Sequence, residues 1–224
     1  MAAILANNGY YMHGVDVNHE NIETINRGDI HIVEPGLDQL VRKAVNNKTL
    51  FAHLEPSKAD VFIIAVPTPF HQDQININTN SPIPNLDYVF EATKMIASLI
   101  EPGNLILLES TCPVGTTEKL AVTLKDKGVD LEEIFIAHSP ERVLPGDILR
   151  ELIENDRVVG GINLKSTQKA ADFYRVFCKG IVYETNSKVA EMTKLTENSF
   201  RDVNLAFANE LSMLCSDMDV DVNE

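Results

Sequence analysis

Three polar residues near the end of the chain stand at helical spacing. Lys194, Asn198 and Arg201 are four and then three residues apart, so on a helix they point the same way. A cation, an amide and a second cation on one stripe can grip a phosphorylated sugar. They would equally make a solvated face on a connecting helix. Other candidates follow apolar runs. Asp16 ends Gly14-Val15-Asp16. An acid there can accept hydrogen bonds from dinucleotide ribose hydroxyls, or it can be a turn residue or cap. In the first case it favours NAD over NADP, because it repels a 2′-phosphate. Val66-Pro67-Thr68-Pro69 and Glu109-Ser110-Thr111-Cys112-Pro113-Val114-Gly115-Thr116 lie at the exits of buried runs. The second offers hydroxyls, N–H groups and a helix start, all suited to an anion. No base neighbours Cys112, which reads as a passive thiol rather than a nucleophile.

The elements that must position these groups alternate. Residues 2–8 form a helix tail ended by Gly9, and Tyr11–Val17 a short strand. Asn18 caps a helix over 19–27, and Pro35-Gly36 opens another over 37–47. Val61–Val66, Leu105–Leu108 and Ile134–Ala137 are short apolar runs, the pattern of parallel strands buried on both faces. Helices over 86–100, 116–127 and 165–178 and short strands at 157–160 and 181–183 continue the alternation. Residues 70–85, rich in Asn, Gln and Pro, read as a long connection. The order predicts an α/β fold, a doubly wound Rossmann-like parallel sheet over residues 1–185. Residues 186–224 then form a long connector helix. Ser187 to Met218 contains no Gly or Pro. Val189, Met192, Thr196, Phe200, Val203, Phe207 and Leu214 share one face. Ser187, Glu191, Lys194, Asn198 and Arg201 share the other.

Three further segments carry a family resemblance: Ser139-Pro140-Glu141-Arg142-Val143-Leu144-Pro145-Gly146, Asn155-Asp156-Arg157-Val158-Val159-Gly160-Gly161, and Ala190–Asp202. With Asn26–Pro35 and the two strand exits, they resemble the UDP-glucose/GDP-mannose dehydrogenase family of nucleotide-sugar 6-dehydrogenases. The resemblance covers nearly the whole chain. Pro-Glu-Arg-Val-Leu-Pro-Gly is similar to its mannosamine-type members, where glucose-type members carry Pro-Glu-Phe-Leu-Arg-Glu. The resemblance implies that Asp16, Thr68 and Thr111 contact NAD. It implies that Arg142, Val143, Asn198 and Arg201 line the UDP-sugar site, with Lys194 as catalytic lysine and Glu141 assisting a water or proton relay. The implied reaction oxidises the C6 hydroxyl of a UDP-N-acetylated sugar to a carboxylate with two NAD+, through an aldehyde and a cysteine thioester. A dimer through the long helix is implied too.

The same resemblance marks what the sequence lacks. The eleven glycines form no Gly-x-Gly-x-x-Gly, the loop expected upstream of Asp16. Residues 1–9 match only the rear of the helix after it. The expectation is a chain truncated at both ends, without its first strand, glycine loop and nucleophilic cysteine, and inactive alone. A non-catalytic remnant, a glucose-type enzyme or another dehydrogenase are the alternatives. Pro-Glu-Arg-Val-Leu-Pro-Gly speaks against the last.

The chain of 224 residues is 44% hydrophobic, with a formal net charge of −14. That charge disfavours nucleic acid as a bulk partner and makes individual cations decisive for anionic ligands. No run approaches the roughly 18–20 apolar residues of a membrane span. Three cysteines without metal-type spacing suggest a reduced, cytoplasmic, metal-free protein.

Overall fold

The computed structural model describes residues 1–144 and 146–222. Pro145, inside the Pro-Glu-Arg-Val-Leu-Pro-Gly segment, and Asn223 and Glu224, at the end of the predicted helical region, lie outside the described residues. The chain is an α/β fold with a largely parallel sheet, followed by one long helix.

The first 53 residues build α1 (Ala2–Asn7), β1 (Met12–Val15), α2 (His19–Asn26), α3 (Leu37–Asn46) and β2 (Leu50–His53). Asn18 caps α2, its side chain accepting from the Glu20 N–H at 2.9 Å. β1 and β2 pair in parallel as a two-stranded sheet. The β2 strand has no counterpart in the sequence reading. It is only four residues long and follows Lys48, whose φ is 55°, so no periodicity announces it. Helix α1 packs two ways. Ala3 and Ala6 meet Val41, Ala44 and Leu50, while Ile4 and Leu5 join the core of the larger sheet with Leu105 and Leu107.

That larger sheet begins with β3 (Val61–Ile64). A hairpin follows, β4 (Phe70–Asn76) and β5 (Ser81–Pro84), antiparallel with a register shift between Phe70 and Ile75. It occupies the stretch predicted to be a plain connection. Its polar residues and irregular register hid the alternation that marks a strand. Then come α4 (Asp87–Ile96), β6 (Leu105–Leu108), α5 (Thr116–Asp126), β7 (Phe135–His138), α6 (Ile148–Glu154), β8 (Arg157–Gly161), α7 (Leu164–Arg175), β9 (Val182–Asn186) and α8 (Ser187–Asp217). The strand order is β3-β6-β7-β8-β9. All four side chains of β6 are essentially buried, each contributing on the order of 2 kcal/mol. This is why a bare apolar run at that place had to be a central strand.

A second expectation fails. The sheet is not parallel throughout: β8 pairs antiparallel to β7, and β9 runs with β8. A parallel return needs a crossover that travels the length of the sheet. Residues 139–156 instead spend their length on a loop and the short α6. The chain therefore re-enters the sheet near where it left, and Arg157 at the start of β8 lies beside the loop after β7.

Candidate functional site

The loop after β7 carries Glu141, Arg142 and Val143, and carboxylates hold its backbone. Glu141 Oε1 accepts from the N–H groups of Arg142 (2.7 Å) and Val143 (3.2 Å). Glu151 Oε2 on α6 accepts from Leu144 N–H at 2.7 Å. Glu34, buried although it lies in an exposed stretch, accepts from Gly146 N–H (2.9 Å) and Ile148 N–H (2.7 Å). An acid at the start of a helix satisfies N–H groups that the helix leaves open. Glu34 does this for α6 from more than a hundred residues away.

Beneath the loop lies a buried polar layer. Arg157 is 5% exposed, and its Nη2 stands 3.6 Å from Glu141 Oε2. Its guanidinium lies over the rings of Tyr174, 4.8 Å from the centroid, and Phe177, at 5.6 Å, a placement that stabilises a desolvated cation. Tyr174 donates its hydroxyl to Glu109 Oε1 at 2.7 Å. Burial raises the Glu109 carboxyl from 4.5 to about 7, against the lowering pull of the Tyr174 bond. Burial also pushes the Tyr174 hydroxyl well above its ordinary range and His138 down to about 4.

Helix α8 crosses this end of the sheet. Gly160 on β8 admits it: a Cβ there would stand 2.1 Å from the Asn186 carbonyl oxygen and 2.9 Å from Ala190 Cβ. The helix is then pinned by Glu191, 1% exposed. Its carboxylate accepts from Gly115 N–H (2.6 Å), Thr117 N–H (2.7 Å) and Thr117 Oγ1 (2.7 Å) at the start of α5. The helix start predicted to face an anionic ligand thus receives an internal carboxylate. Beside it, Cys112 is buried, its sulfur 3.9 Å from Glu191. Burial, reinforced by that carboxylate, pushes its thiol up to about 12. Such a thiol is no nucleophile at neutral pH, in line with its reading as a passive neighbour.

Two turns further on, α8 meets the 140–144 loop. Arg142 forms a fork with Glu197, Nε to Oε2 at 3.0 Å and Nη2 to Oε1 at 2.6 Å, and its Nη1 reaches the Asp156 carbonyl at 3.4 Å. Lys194 is half-buried, and desolvation lowers its ammonium from the ordinary value. Glu197 and Glu141 pull it back up, while Arg201 and Arg142 push it down. Arg201, exposed, donates Nη2 to Asn198 Oδ1 at 2.8 Å. The structure thus brings Glu141, Arg142 and Arg201 within electrostatic reach of Lys194, with Asn198 bonded to Arg201. Ser187 and Glu191, predicted to lie on the same polar stripe, are instead buried.

The three predicted cofactor residues sit at strand exits. Thr68, after β3, donates Oγ1 to the Thr111 carbonyl at 2.7 Å, and Ser110 Oγ donates to the Val66 carbonyl at 2.7 Å. These bonds stitch the exits of β3 and β6 together. Asp16, after β1, accepts from Asn18 N–H and Asn21 Nδ2, both at 2.9 Å. The first of these bonds and then the second hold its carboxyl below the usual range. It is therefore a turn carboxylate that stays ionised and keeps lone pairs for further donors. That chemistry fits the ribose hydroxyls of a dinucleotide. Sequence reasoning missed Glu34, Tyr174 and Glu197 as a partner of Arg142, and it gave Glu109, Arg157 and Glu191 no role of their own although they stand in stretches it singled out. No local pattern reveals the partners that give them these roles. Among the described residues no group of three or more His, Cys, Asp or Glu could hold a metal ion, and no helix is long and apolar enough to cross a membrane.

Comparison with known proteins adds a second line. Residues 1–178 match the NAD binding domain of the UDP-glucose/GDP-mannose dehydrogenase family, and residues 188–224 match its central domain. A UDP-N-acetyl-D-mannosamine dehydrogenase of Campylobacter jejuni is 51% identical, the alignment covering 100% of this chain and 55% of that protein. An NDP-N-acetyl-D-galactosaminuronic acid dehydrogenase of Ralstonia solanacearum is 48% identical, covering 100% and 53%. The solved UDP-D-ManNAc dehydrogenase from Pyrococcus horikoshii superposes with a TM-score of 0.91 at 38% identity, covering 99% of this chain and 52% of that one. The chain spans about half the length of the curated relatives it matches.

Proposed function

Since the chain belongs to the UDP-glucose/GDP-mannose dehydrogenase family, we propose that it is the NAD-binding part of a UDP-N-acetyl-D-mannosamine 6-dehydrogenase. The protein would oxidise its substrate to the uronate with two NAD+, in the cytoplasm and for surface polysaccharide synthesis. Residues 1–185 are the nucleotide-binding unit and 186–224 the start of the central region. The two sheets are read as halves of one doubly wound sheet. The observation that carries the reading is the meeting of the Glu141-Arg142-Val143 loop with α8 through Arg142 and Glu197, which leaves Lys194 within electrostatic reach of Glu141 and Arg142. The identity to mannosamine dehydrogenases supports the choice of sugar.

Asp16 would accept from the adenosine ribose, with Thr68 and Thr111 beside the rest of NAD at the strand exits. The bound cofactor supplies hydride acceptance. The chain's own residues do the remaining work. Lys194, partly desolvated, holds or moves a proton at its Nζ beside the reacting C6 oxygen. Asn198 and Arg201 offer donors to the sugar nucleotide. Glu141, engaged by two backbone N–H groups and Arg157, acts first as the anion that shapes the loop. Cys112, held as a thiol, does not serve as the nucleophile of the second oxidation. The apolar face of α8 is assigned to a homodimer.

A second reading, an N-acetylgalactosamine-type enzyme, is favoured by the 48% identity to the Ralstonia protein. The complete protein carrying this sequence should reduce NAD+ fastest with UDP-N-acetylmannosamine, forming two NADH per sugar. Faster turnover of UDP-N-acetylgalactosamine would select the second reading. Faster turnover of UDP-glucose, or no NADH with any of the three, would reject both.

A further inference from the structure

Resting on the reading above, that the 140–144 loop and Lys194 face the nucleotide sugar, the geometry points to Glu197 as a positioning residue that clamps the loop to α8 through Arg142. The pair joins residues 55 apart in sequence through two charge-assisted bonds, 3.0 Å and 2.6 Å. A planar carboxylate against the guanidinium fork fixes direction as well as distance. The third donor of the fork, Nη1, points to the Asp156 carbonyl. Each nitrogen of Arg142 therefore has an internal acceptor before any ligand arrives. About a third of each side chain remains exposed, 31% for Arg142 and 38% for Glu197, so the clamp lies at the rim of the site rather than in the core.

The clamp divides labour among the cations. Lys194 and Arg201 are left to meet an anionic diphosphate. Arg142 is held as a strut, setting how far the loop stands from the helix. From the other side Arg157 faces Glu141 Oε2, and Glu141 bonds the backbone of residues 142 and 143. The loop is thus gripped from the buried layer and from α8. Glu197 also lies close enough to Lys194 to raise its ammonium, against Arg201 and Arg142.

The test uses the complete protein. If it oxidises none of the UDP-sugars, the functional reading fails; the clamp is then still read by a lysine ε-carbon NMR titration of Lys194. With an active protein, Glu197→Gln should raise KM for the UDP-sugar about tenfold, change kcat less than threefold and leave KM for NAD+ alone. Arg142→Lys keeps the charge but loses the fork and should raise KM similarly. Because the two residues act as a pair, the double variant should be no worse than the poorer single. The Lys194 titration should move to lower pH in Glu197→Gln. An unchanged or lowered KM in either single variant, additive effects in the double, or an unmoved Lys194 titration overturns the proposal. Should Glu197→Gln fail to fold, the KM of Arg142→Lys decides alone.

Discussion

The two parts of α8 invert the usual rule of burial. Over its first turns, polar groups go inside: Ser187 and Glu191 are buried beside Ala190, as Glu109, His138 and Arg157 are buried in the sheet region. Over its later turns, what lies outside is apolar: Phe200 is 71% exposed, and Val203 and Phe207 are 67% exposed. Scattered exposed apolar residues need no explanation, but buried ionisable groups and a continuous exposed apolar face do. The difference teaches that one helix carries two tasks. Its start is held by hydrogen bonds that also shape the candidate site. Its remainder presents an exposed apolar face. A single amphipathic stripe cannot reveal this, because periodicity marks a face and not what lies against it.

Removing Glu191 tests the buried half most severely. Glu191→Ala strands two backbone N–H groups and the Thr117 hydroxyl at the start of α5. It should destabilise the protein by about 3 kcal/mol, read as a lower urea midpoint at unchanged slope. A loss below about 1 kcal/mol would mean that water replaces the carboxylate and that the pin is not what holds α8.

An effect of similar size comes from Glu109. The folded protein keeps its proton up to about pH 7, whereas the unfolded chain releases it near its ordinary value of 4.5. The raised value contributes most at low pH, and that contribution is lost as pH rises through this window. The wild-type stability relative to Glu109→Gln should therefore fall by roughly 3 kcal/mol between about pH 4.5 and 7. His138, lowered to about 4, tilts the opposite way in both proteins and drops out of the difference. A flat difference would show that Glu109 is ionised inside the fold.

The least effect on stability belongs to the exposed half. Phe207→Glu should change the folding free energy by only about 0.5 kcal/mol while lowering the mass of the complete protein in sedimentation, if the apolar face joins two copies. Unchanged mass with an intact fold would move the contact elsewhere. Global unfolding would mean that the face packs within one chain.

What could be read from sequence followed the range of the interaction. The buried runs of β3 and β6 and the long α8 announce themselves through composition within a few residues, as does the spacing of Lys194, Asn198 and Arg201. The β2 strand and the β4–β5 hairpin do not, being short or irregular. The reversal of β8 depends on how residues 139–156 spend their length, and hydrophobicity does not record that. The acids that build the site were the least legible. Glu34, Glu191 and Glu197 look like surface residues in sequence, and only the partners brought to them by the fold give them meaning.

The pin at Glu191 and the clamp at Glu197 also make α8 a lever. Six residues separate them, about 9 Å at 1.5 Å per residue, while Asp217 lies about 39 Å from the pin. If the helix tilts rigidly about Glu191, a movement of about 2 Å at Asp217 becomes about 0.5 Å at Glu197. The long arm trades distance for force. Whatever grips the far end of the helix can therefore set the loop at Arg142 to a fraction of an ångström, and a coarse mechanical input arrives at the chemistry as a fine adjustment.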